Sequence, residues 1–362
     1  SRFNIEREVE QEFPHLPPGC SIQLDRIARD HVLRNIRENL SNLNARVPEQ
    51  LECFDEEARL PLTFGNFVRH HGYAPETLLK RMTWSEWRAS ARQTPIPNDP
   101  NLAQLKSSLI SATQTSGPHE LRHFQKVVYH LRQHDITSAL AEAGDRALMM
   151  HYRIWGKPGP RLQMEDLNDS FQRLAENPSV LADLGEVLEW ANEESRVPSI
   201  LPDLPFACQL ELHGTYGSDE IKVAMNVATF ETAGITGSGL IFSPIFNAYI
   251  CLVTFQKTER EFSPSTMYQD YPISREFLHW ESPSNTSLSS PTGQKICFHI
   301  AKGISVLFFA RTNRSVEATA SPFTYLGPAR LESHESERPI RTVWKLMYPM
   351  PAAMFEENRR GG

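Results

Sequence analysis

The stretch Pro198-Ser-Ile-Leu-Pro-Asp-Leu-Pro205 separates two kinds of sequence in this chain. It holds three prolines in eight residues, and proline interrupts helices and central strands because its φ is fixed and it has no N–H group. The spacing of hydrophobic residues also changes at this point. We therefore predict a multi-domain protein, with one domain over residues 1–200 and a second over residues 201–362.

The sequence before this stretch has the periodicity of amphipathic helices, from residue 20 to about residue 195. Ser21 can cap a helix whose apolar residues lie largely on one face, and Pro75 stands where proline favours the first turn of another. Thr83 can cap a helix in which Trp84 and Trp87 form a packing stripe. No segment repeats at a fixed period, so an all-α helical domain is predicted rather than a solenoid.

The sequence after this stretch has one predicted helix, over residues 218–227, followed by runs with the composition of β-strands. Clusters of Gly, Pro, Ser, Asn and Thr separate these runs, a pattern typical of a small barrel or a strongly bent sheet. We predict an α+β domain with a small β-barrel core, whose strands include residues 248–255, 296–300, 306–310, 323–326 and 342–348.

The composition restricts the functional classes. Five cysteines stand far apart without a C-x-x-C pair, which argues against a disulfide framework or a zinc site and fits a reducing cytoplasm. No run approaches the roughly 18 apolar residues of a membrane span and no basic-then-apolar leader opens the chain. We expect a cytoplasmic protein with no membrane partner. The start at Ser1 suggests a fragment of a longer protein.

The net charge of −7 is unfavourable for binding DNA, because phosphate contacts normally need an excess of lysine and arginine. Basic residues nevertheless bunch in the C-terminal half, so a local basic face is predicted there. An ordinary solvated sheet face remains the alternative. The residues concerned are Lys295, Lys302, Arg311, Arg314, Arg330, Arg338, Arg341 and Lys345.

Catalytic motifs are missing from the sequence. There is no G-x-x-x-x-G-K-[ST] phosphate loop, no H-x-K nuclease motif, no H-E-x-x-H zinc motif and no G-x-S-x-G elbow. We therefore expect no catalytic residue, no metal site and no cofactor in this chain. A hydrolase of unrecognised type that uses His279 and Glu281 stays open as a catalytic alternative.

The run Tyr268-Gln-Asp-Tyr-Pro-Ile-Ser-Arg-Glu-Phe-Leu-His-Trp-Glu-Ser282 contains the groups that bind a flat, hydrogen-bonding ligand such as a nucleobase flipped from DNA. Aromatic rings stack on such a ligand, and polar side chains contact its edge. In a strand, Leu278 and Trp280 would face the core, with His279 and Glu281 on the opposite side. Core aromatics beside surface polar residues are the simpler alternative. The candidate base-pocket residues are Tyr268, Asp270, Tyr271, His279, Trp280, Glu281 and Ser282.

Four segments resemble one region of a known kind of protein: LELHGTYGSDEI (210–221), LVTFQKTEREFSPSTMYQDYPISREFLHWESPSNTS (252–287), LFFARTNR (307–314) and PFTYLGPARLESHESERPIRTVWKLMYPMP (322–351). The region follows the helicase core in bacterial fusions of a phospholipase-D-type nuclease with a superfamily 2 helicase. Some of these fusions are type IV restriction enzymes that cut DNA carrying methylated cytosine. In them this region is the presumed reader of the modified base and is thought to be similar to SRA domains.

The resemblance implies an SRA/PUA-like barrel in a non-catalytic, DNA-recognition portion of a modification-dependent restriction enzyme. The expected partners are double-stranded DNA with a modified cytosine and the helicase and nuclease domains of the parent chain, which alone would need ATP and magnesium. The helical domain would couple the reader to the helicase. A protein-interaction or sensing module attached to the helicase is the alternative. The candidate contacts to the DNA backbone are Asn285, Thr286, Lys302, Arg311, Arg314 and Arg341.

Overall fold

The computed structural model describes residues 43–95, 98–234, 239–256, 270–316 and 319–359. The predicted helix that follows Ser21 and the site candidate Tyr268 lie outside the described residues. The described part contains a helical region followed by a mixed β-sheet with three further helices.

The helical region forms one hydrophobic core, in which Trp84 and Trp87 are fully buried. Its local sequence explains where helices begin. Pro75 stands in the first turn of its helix, and Thr83 and Glu86 form a capping box, each side chain accepting a hydrogen bond from the other residue's backbone N–H. The helices are α1 (Leu43–Ala58), α2 (Phe64–His71), α3 (Pro75–Arg81), α4 (Trp84–Ala91), α5 (Leu102–Thr113), α6 (Pro118–Arg132), α7 (Ile136–Ala143), α8 (Ala147–Trp155), α9 (Leu167–Ala175) and α10 (Pro178–Glu194).

The C-terminal region is built on a mixed sheet with the strand order β2-β3-β6-β9-β10-β5-β4, in which only β3 and β6 of these described strands are parallel. A short strand, β1, pairs with the beginning of β9, and β7 and β8 form a separate ribbon. The elements are β1 (Thr215–Tyr216), α11 (Ser218–Ala224), β2 (Leu240–Ser243), β3 (Ala248–Thr254), β4 (Tyr271–Pro272), β5 (Phe277–Glu281), α12 (Pro291–Cys297), β6 (Ser305–Arg311), β7 (Ser315–Val316), β8 (Thr319–Ala320), β9 (Phe323–Glu335), β10 (Arg341–Leu346) and α13 (Ala352–Asn358).

Strand β9 joins the two halves of the sheet. Its first part pairs with β1 and β6, and its last part pairs with β10. Between them Gly327 has φ +87°, and a Cβ there would lie 3.0 Å from the side chain of Leu212 and 3.1 Å from the ring of Tyr348. A residue with a side chain would therefore be strained at this position. The sheet encloses one hydrophobic cluster between its halves, which we call the inner cluster, and a second cluster lies against α8 and α11.

The predicted β-barrel is wrong, because the sheet is open. Among the described strands, β2 and β4 each pair on one side only and therefore form two edges. The parallel pair β3–β6 needs a crossover rather than a hairpin. This crossover contributes α12, whose Ile296 packs into the inner cluster alongside Trp280 and Trp344. A helix thus covers part of the core that a closing strand would cover in a barrel.

The predicted strand over residues 296–300 is also wrong. Helix α12 occupies residues 291–297, with the hydroxyl of Ser290 accepting a hydrogen bond from the N–H of Gly293 and Pro291 in the first turn. These are signals for the beginning of a helix. Two turns follow the helix, and they leave Phe298 and Ile300 exposed.

The helical region and the sheet share a buried contact centred on α8. Met149 and Tyr152 of α8 belong to the same cluster as residues of β3, β6 and β9. Arg153 is buried, its Nε lies 2.5 Å from a carboxylate oxygen of Glu220 in α11, and its Nη1 donates to the hydroxyl of Thr115. The carboxylate of Glu211 accepts from the first-turn backbone N–H groups of α6 at 3.1 and 3.0 Å. Helices and sheet are therefore joined by a contact that is both apolar and ionic.

Glu120 has no hydrogen-bond partner for either carboxyl oxygen among the described residues, although its side chain is 2% exposed. Its Oε1 lies 3.6 Å from Nη2 of Arg153, whose shorter ion pair is with Glu220. Burial raises the pKa of Glu120 from 4.5 to about 8, and the charge of Arg153 only partly opposes this. Between these two values the folded protein keeps a proton that the unfolded chain releases. The contribution of Glu120 to stability therefore falls as the pH rises from about 4.5 to about 8.

Replacing Glu120 with glutamine is expected to make the melting temperature less dependent on pH. The amide stays neutral at every pH, so the variant should gain stability relative to the wild type as the pH rises. Thermal unfolding at about pH 5, 6.5 and 8 measures this difference. Glu165→Gln, at an exposed position, is the control and should follow the wild type. The same pH dependence for Glu120→Gln and wild type would contradict the assignment of a buried proton to Glu120.

Candidate functional site

Strand β5 separates the predicted site residues onto two sides of the sheet. Leu278 and Trp280 are 0% and 4% exposed and lie in the inner cluster. Phe277, His279 and Glu281 alternate with them and are partly exposed. The alternation predicted from the sequence is therefore confirmed, since successive side chains of a strand point to opposite faces.

The register places side chains of four strands on the same side as His279. His279 pairs with Tyr271 of β4 on one side and with Val343 of β10 on the other. We call this surface the outer face. Its members are Tyr271 of β4, Phe277, His279 and Glu281 of β5, Arg341, Val343 and Lys345 of β10, and Arg330, Ser333 and Glu335 of β9.

Aromatic rings occupy the middle of the outer face. The rings of Tyr271 and His279 are stacked, with centroids 4.6 Å apart and planes 13° from parallel. The ammonium group of Lys345 lies 6.0 Å from the ring centroid of Phe277. Both Tyr271 and His279 are partly exposed. A flat ligand could therefore extend a stack that the protein has already ordered.

Charged residues surround these rings. Nε of Arg341 lies 3.4 Å from Oε1 of Glu281, and the side chain of Arg341 is 60% exposed whereas that of Glu281 is 13% exposed. The guanidinium group of Arg341 therefore remains accessible to a phosphate while one edge pairs with Glu281. Arg330 and Lys345 are also exposed. The outer face therefore has three cationic side chains and two carboxylates, those of Glu281 and Glu335.

Three of the candidate base-pocket residues are buried away from the outer face. Trp280 contacts Phe308 edge-on, with ring centroids 6.2 Å apart. Asp270 is 6% exposed and accepts a hydrogen bond from the backbone N–H of Glu281 at 3.0 Å. The fully buried hydroxyl of Ser282 accepts from the N–H of Ile340 at 2.9 Å. These contacts secure the ends of β4, β5 and β10. Of the described candidates, only Tyr271, His279 and Glu281 share the outer face.

The candidate contacts to the DNA backbone do not form one patch. The guanidinium of Arg311 donates to the hydroxyl of Thr254 (3.1 Å) and the carbonyl of Ser321 (3.0 Å), and lies 4.1 Å from the ring centroid of Phe323. It therefore ties β6 to its neighbouring segments. Thr286 is buried, while Asn285, Lys302 and Arg314 are exposed in three separate loops. Arg341 is the one member of this set that stands on the outer face as defined above.

Six outer-face residues were not among the candidate base-pocket or DNA-backbone residues: Phe277, Arg330, Ser333, Glu335, Val343 and Lys345. Of these, Arg330 and Lys345 were included only in the predicted basic face. The alternation in Arg341-Thr-Val-Trp-Lys-Leu346 could have indicated that Lys345 points outward. In the structure Thr342, Trp344 and Leu346 are buried, and the residues between them point to the other side. The sequence could not show that β10 lies between β5 and β9. That neighbour relation brings Phe277 and Lys345 together.

Residues 210–357 match the model of a protein family described as a domain of unknown function, DUF3427. The match extends from before β1 into α13 and includes every member of the outer face. No curated protein matches the chain significantly. In the part of the chain that the structure describes, no helix is long and apolar enough to cross a membrane. The same part holds no group of three or more His, Cys, Asp or Glu side chains arranged to bind a metal ion.

Proposed function

We propose that residues 210–357 are a non-catalytic DNA-recognition module and that the outer face is its DNA-contacting surface. The observation that carries this proposal is the stacked, partly exposed pair Tyr271–His279 with the exposed cations Arg341 and Lys345 on the neighbouring strand. Stacking on aromatic side chains is available to any base, and it contributes about 1–3 kcal/mol per base. Arginine and lysine contacts to phosphates orient the nucleic acid without reading its sequence.

The electrostatics of the chain indicate how such binding would behave. A net charge of −7 opposes long-range attraction of DNA, and Glu281 and Glu335 reduce the positive charge of the outer face itself. Affinity for an unmodified duplex is therefore expected to be weak and to fall as salt increases. Recognition would depend on contacts to an exposed base more than on phosphate contacts.

Modified cytosine is the base we propose, and a duplex with that base flipped out is the proposed ligand. The support is the resemblance of roughly residues 205–355 to the region behind the helicase core of modification-dependent restriction enzymes. Within that proposal, the helicase and nuclease of a parent chain act on DNA that this module has recognised, and the helical region transmits binding to them. A methyl group read by an apolar contact gives a preference worth only about 1–3 kcal/mol.

A protein-interaction module is the second candidate function. Ile273, in the turn between β4 and β5, is 49% exposed, and Met347, directly after β10, is 45% exposed. The N–H of Leu346 donates to the carbonyl of Glu276 at 2.8 Å, so Ile273 and Met347 lie near the same end of the β5–β10 pair. Exposed apolar side chains at one end of a sheet are typical of a surface that binds a protein partner. Two results together would favour this function: the wild type binds no DNA but captures a protein partner, and the double variant Ile273→Ser/Met347→Ser fails to capture that partner.

Replacing Tyr271 with alanine is expected to weaken binding to a duplex with 5-methylcytosine by about tenfold or more, since one stacking contact is lost. Replacing Lys345 with alanine should weaken plain and methylated duplexes alike and reduce the salt dependence, because a phosphate contact is lost. Gel-shift titrations with plain, methylated and hydroxymethylated duplexes measure both effects.

The matched control for Tyr271 is Tyr129→Ala. Tyr129 is a 62% exposed tyrosine of α6, in the helical region, and its removal should leave DNA binding unchanged. Melting temperatures of all variants show whether each is folded. A folded Tyr271→Ala protein that prefers methylated DNA as strongly as the wild type would remove the outer face from the proposed function.

A further inference from the structure

The registers of β4, β5, β10 and β9 arrange the outer face as three rows that run across the strands. Each member of a row is paired in register with the next. Members of one row stand about 5 Å apart and neighbouring rows about 7 Å apart, because a strand advances about 3.3 Å per residue and its side chains alternate. The middle row is Tyr271–His279–Val343–Ser333, and the flanking rows are Glu281–Arg341–Glu335 and Phe277–Lys345–Arg330.

The stacked rings of Tyr271 and His279 give the middle row a direction. Their centroids are 4.6 Å apart and their planes are 13° from parallel, and neighbouring strands have a similar spacing. The two rings therefore stand side by side on the sheet, with their faces turned along the row. The side of the imidazole that is turned away from Tyr271 points toward β10, where Val343 is the next member of the row. A base that joins the stack from this side stands above Val343.

Val343 is the one aliphatic residue among the described members of the outer face. It is short and partly exposed. Arg341 and Lys345, two residues before and after it on β10, have long side chains and are exposed. Val343 therefore forms the floor of a shallow apolar slot with a cation on either side. Across the row, the slot is bounded by His279 of β5 and Ser333 of β9.

The backbone on both sides of Val343 is held from the interior of the sheet. The flanking residues Thr342 and Trp344 are 1% and 0% exposed. The indole N–H of Trp344 donates to the hydroxyl of Thr342 at 2.8 Å, and that hydroxyl donates to the carbonyl of Trp280 at 2.6 Å. Directly after Val343 the register between β10 and β9 shifts by one residue. Irregularities of this kind redirect side chains beside binding sites. The floor of the slot thus has a fixed position, which the discrimination of one methyl group requires.

Methylated cytosine matches the chemistry of this slot. Its methyl group is on C5, beside the exocyclic amine. When the ring stacks on His279 with this edge toward the sheet, the methyl group contacts Val343 and leaves water. Thymine has the same methyl group but a carbonyl in place of the amine. The carboxylate of Glu281, two residues after His279 on the same side of β5, accepts a hydrogen bond from the amine and repels the carbonyl.

We propose that Val343 is the residue that contacts the 5-methyl group and so distinguishes methylated from plain cytosine. This inference rests on the proposed DNA-recognition function and names the apolar contact on which its base preference depends. Loss of this contact removes the preference for the methyl group. The stacking on His279 and the phosphate contacts of Arg341 and Lys345 do not depend on it, so the affinity for plain DNA is unchanged.

The experiment compares two duplexes that differ only in one 5-methylcytosine, titrated with the whole 362-residue chain and followed by fluorescence anisotropy. The wild type is expected to prefer the methylated duplex by about tenfold, the lower end of the range for one apolar group. Val343→Thr keeps the β-branched shape of valine and places a hydroxyl against the methyl group. It should reduce the preference to about twofold or less and leave the affinity for the plain duplex unchanged.

Three further variants accompany Val343→Thr. Val343→Ala removes the contact without adding a polar group and should also reduce the preference. Val343→Ile keeps an apolar, β-branched side chain and should retain it. Ile245→Thr is the matched control, because Ile245 is 71% exposed in the turn between β2 and β3, outside the outer face. It should bind both duplexes as the wild type does. Melting temperatures show which variants are folded.

The outcomes distinguish this inference from the proposed function. Folded Val343→Thr and Val343→Ala proteins with the wild-type preference overturn the role of Val343 and leave DNA recognition standing. An equal loss of affinity for both duplexes also overturns that role, because Val343 would then support the surface without distinguishing the base. A wild type that binds both duplexes equally overturns this inference together with the choice of modified cytosine. A wild type that binds neither duplex overturns the DNA-recognition function as well.

Discussion

Replacing Trp280 with alanine is expected to lower the free energy of unfolding by about 3–5 kcal/mol. The indole is 4% exposed and packs against Phe308 in the inner cluster, so its removal leaves a cavity between the two halves of the sheet. The backbone carbonyl of Trp280 also accepts a hydrogen bond from the hydroxyl of Thr342 at 2.6 Å, which holds β5 against β10. Urea denaturation followed by tryptophan fluorescence and circular dichroism measures the loss.

Val343→Ala is the matched control for Trp280→Ala, because Val343 lies on β10 but faces outward. Its cost is expected to be about 1 kcal/mol or less, the range of substitutions on a partly exposed strand. The Trp280→Ala protein that remains folded should bind DNA with wild-type affinity per folded molecule, because the indole does not reach the outer face. A variant that keeps wild-type stability but loses DNA binding would place Trp280 in the recognition surface after all.

Replacing Arg153 with methionine is expected to cost about 3–5 kcal/mol, because it leaves the carboxylate of Glu220 buried without its partner. Glu220 is 3% exposed, and its other contact is with the N–H of Gly217 at 2.7 Å. The same substitution removes the hydrogen bond to Thr115, which ties α8 to the end of α5. Thermal and urea unfolding measure the effect.

Arg359→Met is the control for Arg153→Met, since Arg359 pairs with Glu356 while its side chain is 59% exposed. Water already solvates that pair, so the loss of stability should be small. Adding Glu220→Gln to Arg153→Met should recover part of the loss, because the unpaired charge is removed. Equal stability of Arg153→Met and Arg359→Met would show that the ion pair does not hold the helical region to the sheet.

The features that could be predicted from the sequence depend on short-range rules. The inward side of β5 followed from strand alternation and from the preference of tryptophan for the interior. The beginnings of α3 and α4 followed from Pro75 and Thr83, whose effects reach only one helical turn. These rules need no knowledge of what packs against the segment.

The features that could not be predicted depend on pairing between distant segments. The barrel was predicted from strand-like runs separated by turn residues. That pattern is the same for an open sheet, because it does not show whether the first and last strands pair. Residues 296–300 have the apolar composition of a strand, yet a capped helix ends within them and His299 takes the buried position. Arg311, at the end of an apolar run, was predicted to contact a phosphate or to pair with a neighbouring acid. Its guanidinium instead donates to Thr254 and Ser321, and Thr254 is too distant in sequence for a local pattern to reveal this contact.

The site itself shows the same division. Local composition drew attention to residues 268–282, and four members of that run, Tyr271, Phe277, His279 and Glu281, stand together on the outer face. Asp270 and Ser282 looked equally suited to a base, but their hydrogen bonds go to the backbone of neighbouring strands. A short polar side chain at a strand end has both uses, and only the register of β5 and β10 distinguishes them.

The contact between α8 and the sheet also has a consequence for synthesis of the chain on the ribosome. All ten helices of the described helical region precede the sheet in sequence, so they leave the ribosome first and can fold before the sheet. The sheet then needs distant partners, such as Thr215 with Thr324. Until those strands emerge, Met149, Tyr152 and the charge of Arg153 face water. A nascent helical region therefore exposes an apolar, positively charged surface that only the completed sheet covers.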